Sequence, residues 1–195
     1  MKILNIHGYH GSAKNTAYRV LEKLYPCQIV SLQFDYDKYA PDNMLSILER
    51  LVKEENIGAI VSTSLGGFFA CCLSHNREIP VILINPCLLP FITLRQISDS
   101  GALPTLCGKQ FYELFGKYMG ELDNRYLSVI VGKSDEIINH AATTRYLLTI
   151  GRYYEIDGGH SFEQTEELEK ALLEIFAYYD ENLPKIQMGE TLWTV

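Results

Sequence analysis

The sequence predicts an α/β fold, a three-layer α/β/α sandwich around a mostly parallel sheet of about six strands. Three observations lead there. Short apolar runs rich in Ile, Val and Leu recur along the chain, separated by stretches of helical periodicity. The runs are nearly continuous rather than alternating, which suits strands buried on both faces. Glycine, asparagine or proline stops several of them.

Residues 1–6 form the first strand. Residues 16–24 follow as a helix, with Ala17, Val20, Leu21 and Leu24 on one face. Residues 28–34 are the second strand. Residues 41–54 form a helix, because Pro41 suits a first turn and Ile47, Leu48, Leu51 and Val52 keep helical spacing. Residues 58–63 are the third strand, 65–74 an apolar helix, and 80–84 the fourth strand, stopped by Asn85 and Pro86. Residues 126–131 and 153–156 are the fifth and sixth strands. A last amphipathic helix covers about 162–179, where Leu168, Leu172, Ile175, Phe176 and Tyr179 make one stripe. Glu163, Glu166 and Glu167 lie near its positive end.

Two regions break the alternation. Residues 86–124 read as a cap-like insertion over one end of the sheet, with a helical patch around 110–118. Residues 184–195 read as a loosely attached tail. No repeat or linker interrupts the chain, so residues 1–195 are expected to form one domain.

Composition narrows the function. The formal net charge of -7 argues against a nucleic-acid partner, whose phosphates call for a basic face. It argues also against docking on an anionic membrane. No run approaches the ~20 apolar residues that span a bilayer, and the first residues lack a signal-peptide layout. Five cysteines without C-x-x-C spacing fit neither a disulfide framework nor a zinc site. A cytoplasmic location with free thiols is expected.

The sharpest motif is V-S-T-S-L-G-G-F-F-A, residues 61–70, between a predicted strand and a predicted helix. That context presents a serine on a tight, strained turn, with small residues two before and two after it. Ser62 and Gly66 fill those positions, so Ser64 is the candidate nucleophile. The N–H of Leu65, at a helix N-terminus, would stabilise an oxyanion. The bland alternative is a strand–helix corner without chemistry.

A serine hydroxyl needs a base, and the base needs an acid to orient it. Among five histidines, His160 follows the last strand in I-D-G-G-H-S-F, where Gly158 and Gly159 let the turn swing it over the sheet. His75 ends a helix, and His140 begins a segment after the fifth strand with no evident role. Asp135, in V-G-K-S-D-E-I, is the candidate acid; Glu136 is its nearest rival, and Asp157 lies too near His160 in sequence. As an alternative, Asp135 could simply N-cap the next segment. The chain order Ser, Asp, His is that of α/β-hydrolases.

The first strand ends in I-H-G-Y-H-G-S. Gly8 lets the backbone approach a substrate, the N–H of Tyr9 is the second oxyanion donor, and His7 organises the loop. Neither phosphate-loop pattern fits here, and no carboxylate or cysteine stands at ligand spacing from His7 and His10, so no cofactor or metal is expected. Leu88, Leu89, Phe91, Ile92, Leu94, Phe111, Tyr112 and Phe115 of the insertion either line an apolar pocket or pack the insertion onto the body.

With these residues in place, the chain resembles the bacterial YqiA-like esterases, a compact branch of the α/β-hydrolases. The carriers are I-L-N-I-H-G-Y, S-T-S-L-G-G-F-F-A, V-I-L-I-N-P, V-G-K-S-D-E-I and D-G-G-H-S-F. The resemblance implies a cofactor-free serine esterase acting on small-molecule acyl esters or thioesters, with its triad on Ser64, Asp135 and His160. An acyl-CoA thioesterase is one alternative, for which Lys109, Lys117 or Arg95 could meet the CoA phosphates. A non-catalytic binding protein of the same fold is the other.

Overall fold

Alternate residues of each central strand enter opposite faces of the sheet, and both faces are apolar. Ile3, Val61, Ile82 and Ile130 enter one core, while Leu4, Ile60, Leu83 and Val129 enter the other. Such a sheet requires helices on both sides. A computed structural model of the chain describes residues 1–75, 77–97, 105–143, 146, 149 and 151–189. Its strands are β1 (Lys2–Ile6), β2 (Ile29–Ser31), β3 (Ile57–Thr63), β4 (Val81–Ile84), β5 (Leu127–Gly132) and β6 (Arg152–Ile156). All pairings are parallel, in the order β2-β1-β3-β4-β5-β6.

Helices α1 (Thr16–Leu24) and α6 (Glu166–Gln187) cover one face through Ala17, Val20, Leu172 and Phe176. Helices α2 (Pro41–Glu54), α3 (Leu65–Ser74), α4 (Pro90–Ile97) and α5 (Thr105–Tyr118) cover the other. Every residue of α3 is buried, since α2 and α5 pack over the side that the sheet leaves open. Its all-round apolar sequence fits that position. Among the described residues, no helix is long and apolar enough to cross a membrane.

The strand order places a topological switch between β1 and β3, where open α/β sheets bind ligands beyond their carboxyl ends. The turns after these two strands carry Gly8 and Ser64.

Several expected boundaries move. β2 is three residues rather than seven, because the chain leaves the ladder after Ser31 and the Phe34 N–H donates to His7 Nε2 instead. The last helix starts at Glu166, not Phe162; Phe162 is buried in a turn with a positive φ of 49°. That helix also continues through Pro184. Ile186 is buried in the α1/α6 core and Gln187 Nε2 donates to the Glu78 carbonyl at 3.0 Å, so this part of the expected tail is anchored. The rest of the tail, 190–195, lies outside the described residues.

The insertion contains a helix that the sequence pattern did not reveal, α4. Its Leu94, with Leu88 and Phe111, is buried in the core on the α3 side. Residues 98–104 of the insertion lie outside the description. Cys71, Cys72 and Cys87 are buried free thiols, and Cys27 is exposed; the side chain of Cys107 is outside the description.

Candidate active site

β3 ends on Thr63 and α3 starts on Leu65, which leaves Ser64 alone to make the turn. Its φ of 53° and ψ of -122° fall outside the regions open to an L-residue. Three backbone hydrogen bonds hold it there. The Ser64 N–H donates to the Ile84 carbonyl at 3.0 Å, and the Ser64 carbonyl accepts from Gly67 and Cys87, both at 2.9 Å. Strain of this kind persists only where the surroundings over-determine it.

The turn also demands close approach. A Cβ on Gly66 would stand 2.4 Å from the Ile6 carbonyl oxygen, and one on Gly8 would stand 2.7 Å from the Ser64 Cβ. Two glycines thus let the Ser64 turn and the loop after β1 nest. Gly66→Ala is expected to cost about 1–3 kcal/mol, as overpacking against rigid backbone does. Urea unfolding checks this; a midpoint equal to wild type would contradict the packing.

Leu65, the first residue of α3, has an N–H that the helix itself cannot satisfy. His7 is wholly buried and its ring bonds two backbone groups: Nδ1 donates to the Gly8 carbonyl at 2.7 Å, and Nε2 accepts from Phe34 at 2.9 Å. Burial lowers its pKa, with the Gly8 carbonyl opposing. His7 is therefore neutral and shapes the loop that carries Tyr9. The expectation for His7 agrees with this geometry.

On the far side of the sheet's carboxyl end, His160 Nδ1 bonds both Asp135 oxygens, at 3.0 and 2.9 Å. The Asp135 side chain is 2 % exposed and His160 14 %. Burial alone would raise the Asp135 pKa. Hydrogen bonds from His140, His160 and the Ile138 N–H outweigh it and hold the carboxyl well below the usual range. An ionised carboxylate only accepts, so His160 Nδ1 carries the proton and Nε2 holds the lone pair. Asp135 Oδ1 also accepts from Ile137 and Ile138 N–H, both at 2.9 Å, within a turn rather than at a helix start; the next helical turn, His140–Ala142, is capped by Asn139 instead.

Ser64, His160 and Tyr9 line one cavity of about 130 Å³, walled by Ala17 of α1, Phe162 and Leu168 of α6. Among the described residues, no hydrogen bond joins the Ser64 and His160 side chains. None of the insertion's apolar candidates lines this cavity. Ile92 and Tyr112 are exposed, while Phe91 packs edge-on to Tyr112 and Phe115.

The model of the uncharacterised protein family UPF0227 matches residues 2–177. The chain belongs to this YqiA-like family. The fold of this UPF0227 member recurs in solved structures of α/β hydrolases. MGS-MChE2, an α/β hydrolase from the metagenome of Mar Chica lagoon sediments in Morocco, shares 20 % identity over 92 % of each chain, at a TM-score of 0.66. Est1E from Butyrivibrio proteoclasticus shares 17 % identity, covering 90 % of this chain and 86 % of its own, at 0.64. A carboxylesterase structure from the thaumarchaeon Nitrososphaera gargenis shares 15 % identity, covering 93 % and 91 %, at 0.61. At such identities the likeness establishes the fold.

Sequence reasoning missed three groups in this UPF0227 site. His140 opens a short 3-10 turn and sets Nε2 2.8 Å from Asp135 Oδ2, so one carboxylate serves two imidazoles. Glu136, the rival acid, instead accepts the backbone N–H of His160 at 3.0 Å. Asn85 is wholly buried, and its Nδ2 donates to the Gly159 and His160 carbonyls at 3.1 and 3.0 Å. Its Oδ1 accepts from Gly132 N–H at 2.7 Å, tying the ends of β4 and β5 to the His160 turn. The signal available in the sequence is an asparagine at the carboxyl end of a buried strand, which by itself marks only where the strand stops. Asp157 pairs with Lys133 at 2.8 Å, and His75 packs edge-on to Tyr118.

Proposed function

We propose that this chain is a cytoplasmic, single-domain serine esterase acting on small-molecule acyl esters, with Ser64, His160 and Asp135 as nucleophile, base and acid. The observation that carries this reading is the His160 Nδ1–Asp135 bond at 2.9 Å, which leaves Nε2 as the basic nitrogen of an imidazole in the cavity that Ser64 also lines. The strained turn at Ser64 supports it further. The carboxylesterase among the structural neighbours agrees with it. Catalytic hydrogen bonds are often long in the absence of substrate and tighten only when it binds. Buried unpaired Cys71, Cys72 and Cys87 support a reducing compartment.

In this mechanism Ser64 Oγ attacks the ester carbonyl carbon while His160 Nε2 takes its proton. The carbonyl oxygen becomes an oxyanion held by the N–H groups of Leu65 and Tyr9, each worth about 3 kcal/mol in acyl transfer. Asp135 stabilises the imidazolium. As the C–O bond to the leaving alcohol breaks, the imidazolium returns the proton to that oxygen. Water, deprotonated by His160, attacks the acyl-enzyme, and the acid leaves as Ser64 regains its proton.

The surroundings of His160 favour a neutral or cationic leaving group over a polyphosphate. A second groove beside it, of about 790 Å³, is lined by Glu136, Asp157, Glu163, Glu166 and Glu167. Lys109 pairs with Glu113, and Lys117 lies over the Tyr118 ring, neither of them in the cavity of Ser64. The basic patch that a CoA thioester calls for is not at this mouth among the described residues.

A fluorophosphonate probe tests the assignment. The wild type should be labelled on Ser64, and His160→Ala should suppress labelling. A folded wild type that stays unlabelled would make the chain a binding protein of the same fold.

A further inference from the structure

The loop from β2 to α2 runs alongside the loop from β1 to α1 and bonds it at successive points. Gln33 Oε1 accepts from Ala13 N–H at 2.8 Å, and Gln33 Nε2 donates to the Gly11 carbonyl at 3.1 Å. Phe34 N–H reaches His7 Nε2, and the Tyr36 hydroxyl donates to the His7 carbonyl. At the crest, one carboxylate holds two consecutive side chains. Asp37 Oδ1 accepts from the Tyr9 hydroxyl at 2.7 Å, and Oδ2 lies 2.8 Å from His10 Nε2.

We infer that Asp37 is a positioning residue for ester hydrolysis, clamping Tyr9 and His10 so that the Tyr9 peptide N–H stays aimed at the oxyanion; this rests on the esterase reading above. Three features carry it. The Tyr9 and His10 rings stack at 3.9 Å with 21° between their planes, so the two residues move as one plate. His10 has a positive φ of 51°, a backbone state that needs outside support in a non-glycine residue. Asp37 and His10 side chains are 57 % and 67 % exposed, where such a pair adds little to global stability. The cluster's position over the crest of this loop therefore points to local aim rather than to holding the fold. Hydrogen bonds from Tyr9 and then His10 hold the Asp37 carboxyl below its ordinary pKa, which keeps it an acceptor.

An oxyanion exists only as the carbonyl reacts, so a misaimed donor lowers kcat and leaves KM nearly unchanged. A displacement of 1 Å can cost about 100-fold. Loosening without removal should cost less, about tenfold in kcat for Asp37→Ala. Asp37→Asn should recover most of that loss where His10 is neutral. Its amide oxygen still accepts from the Tyr9 hydroxyl, and its NH₂ donates to the imidazole.

The experiment measures kcat and KM on a short-chain activated ester for wild type, Asp37→Ala, Asp37→Asn and Ser64→Ala, with amide exchange at residues 9–11 and thermal melts. Expected are a tenfold lower kcat, KM within twofold, faster exchange at 9–11 and a melting point within about 2 °C for Asp37→Ala. If hydrolysis depends on Ser64 but Asp37→Ala keeps kcat within twofold, or exchange at 9–11 is unchanged, the role of Asp37 is overturned alone. A loss of kcat matched by a fall in melting point, without rescue by asparagine, overturns it in favour of a structural role. Hydrolysis untouched by Ser64→Ala overturns the esterase reading, and this inference with it.

Discussion

Ser64→Gly is expected to abolish ester hydrolysis and yet to melt at a higher temperature than Ser64→Ala. In the proposed mechanism, removing the hydroxyl removes the atom that forms the acyl-enzyme, and loss of a triad serine lowers kcat by about 10⁶-fold. Both variants share that loss. They differ in the backbone, because φ 53° and ψ -122° are open to glycine and closed to alanine. Strain of about 1–3 kcal/mol is relieved, against an entropic cost of about 0.5–1 kcal/mol for glycine. The net gain is about 1 kcal/mol, or about 2–4 °C at this chain length. Thermal melts of the two variants decide it. A glycine variant melting at or below the alanine variant would mean that the turn stores no strain.

The second large effect belongs to Asp135→Asn. Here kcat should fall by about 10³–10⁴-fold, the scale seen when a triad acid becomes an amide and the imidazole takes the wrong tautomer. His140 makes this site harsher than usual. An asparagine offers one accepting oxygen and one NH₂ where two imidazole N–H groups and two backbone N–H groups now donate. At least one donor is then left facing an N–H.

Stability should also lose the Asp135 part of its acid dependence. The carboxyl of Asp135 lies lower when folded than in the unfolded chain, where it titrates near ~3.9. Its stabilisation is thus complete above that value and drains as pH falls toward the folded pKa. His7 acts in the same direction from a higher starting point. Its pKa is lowered by burial, so below ~6.5 the unfolded chain gains a proton that the folded one refuses. Urea midpoints from pH 7 to pH 3 should fall for the wild type. Asp135→Asn should keep the part due to His7 and lose the part below pH 4. A variant curve parallel to wild type would remove Asp135 from the acid response.

The parts of this architecture that were readable in advance were those written locally. Ile57–Thr63 followed by a small-residue turn and an apolar helix announces both a strand end and a candidate nucleophile position. The loops that carry Asp135 and His160 are legible the same way, each following an apolar strand. What escaped depends on partners distant in sequence. Asn85 meets His160 across 75 residues, and Asp37 meets Tyr9 across 28. No local period encodes either contact. His140 lies five residues from Asp135, but nothing in the pattern says that the turn folds the imidazole back. Leu32 and Phe34 are apolar enough to continue the second strand, but a histidine lone pair claims the Phe34 N–H instead. The insertion's apolar residues carry a similar lesson. Burial against α3 and exposure to a substrate call for the same residue types, so composition cannot choose between them.

The order of the strands also bears on how this protein comes off the ribosome. β1 is made first but ends up interior, flanked by β2 and β3, and the segment bearing His160 arrives only after β6. A nascent chain can assemble the serine's turn and the glycine loop beside it well before translation reaches the imidazole. Until α6 docks on α1, with Lys23 meeting Glu169 at 2.7 Å, the cavity beside Ser64 lacks the wall that His160, Phe162 and Leu168 supply. The cavity is thus completed last, in a molecule whose central sheet already has its neighbours.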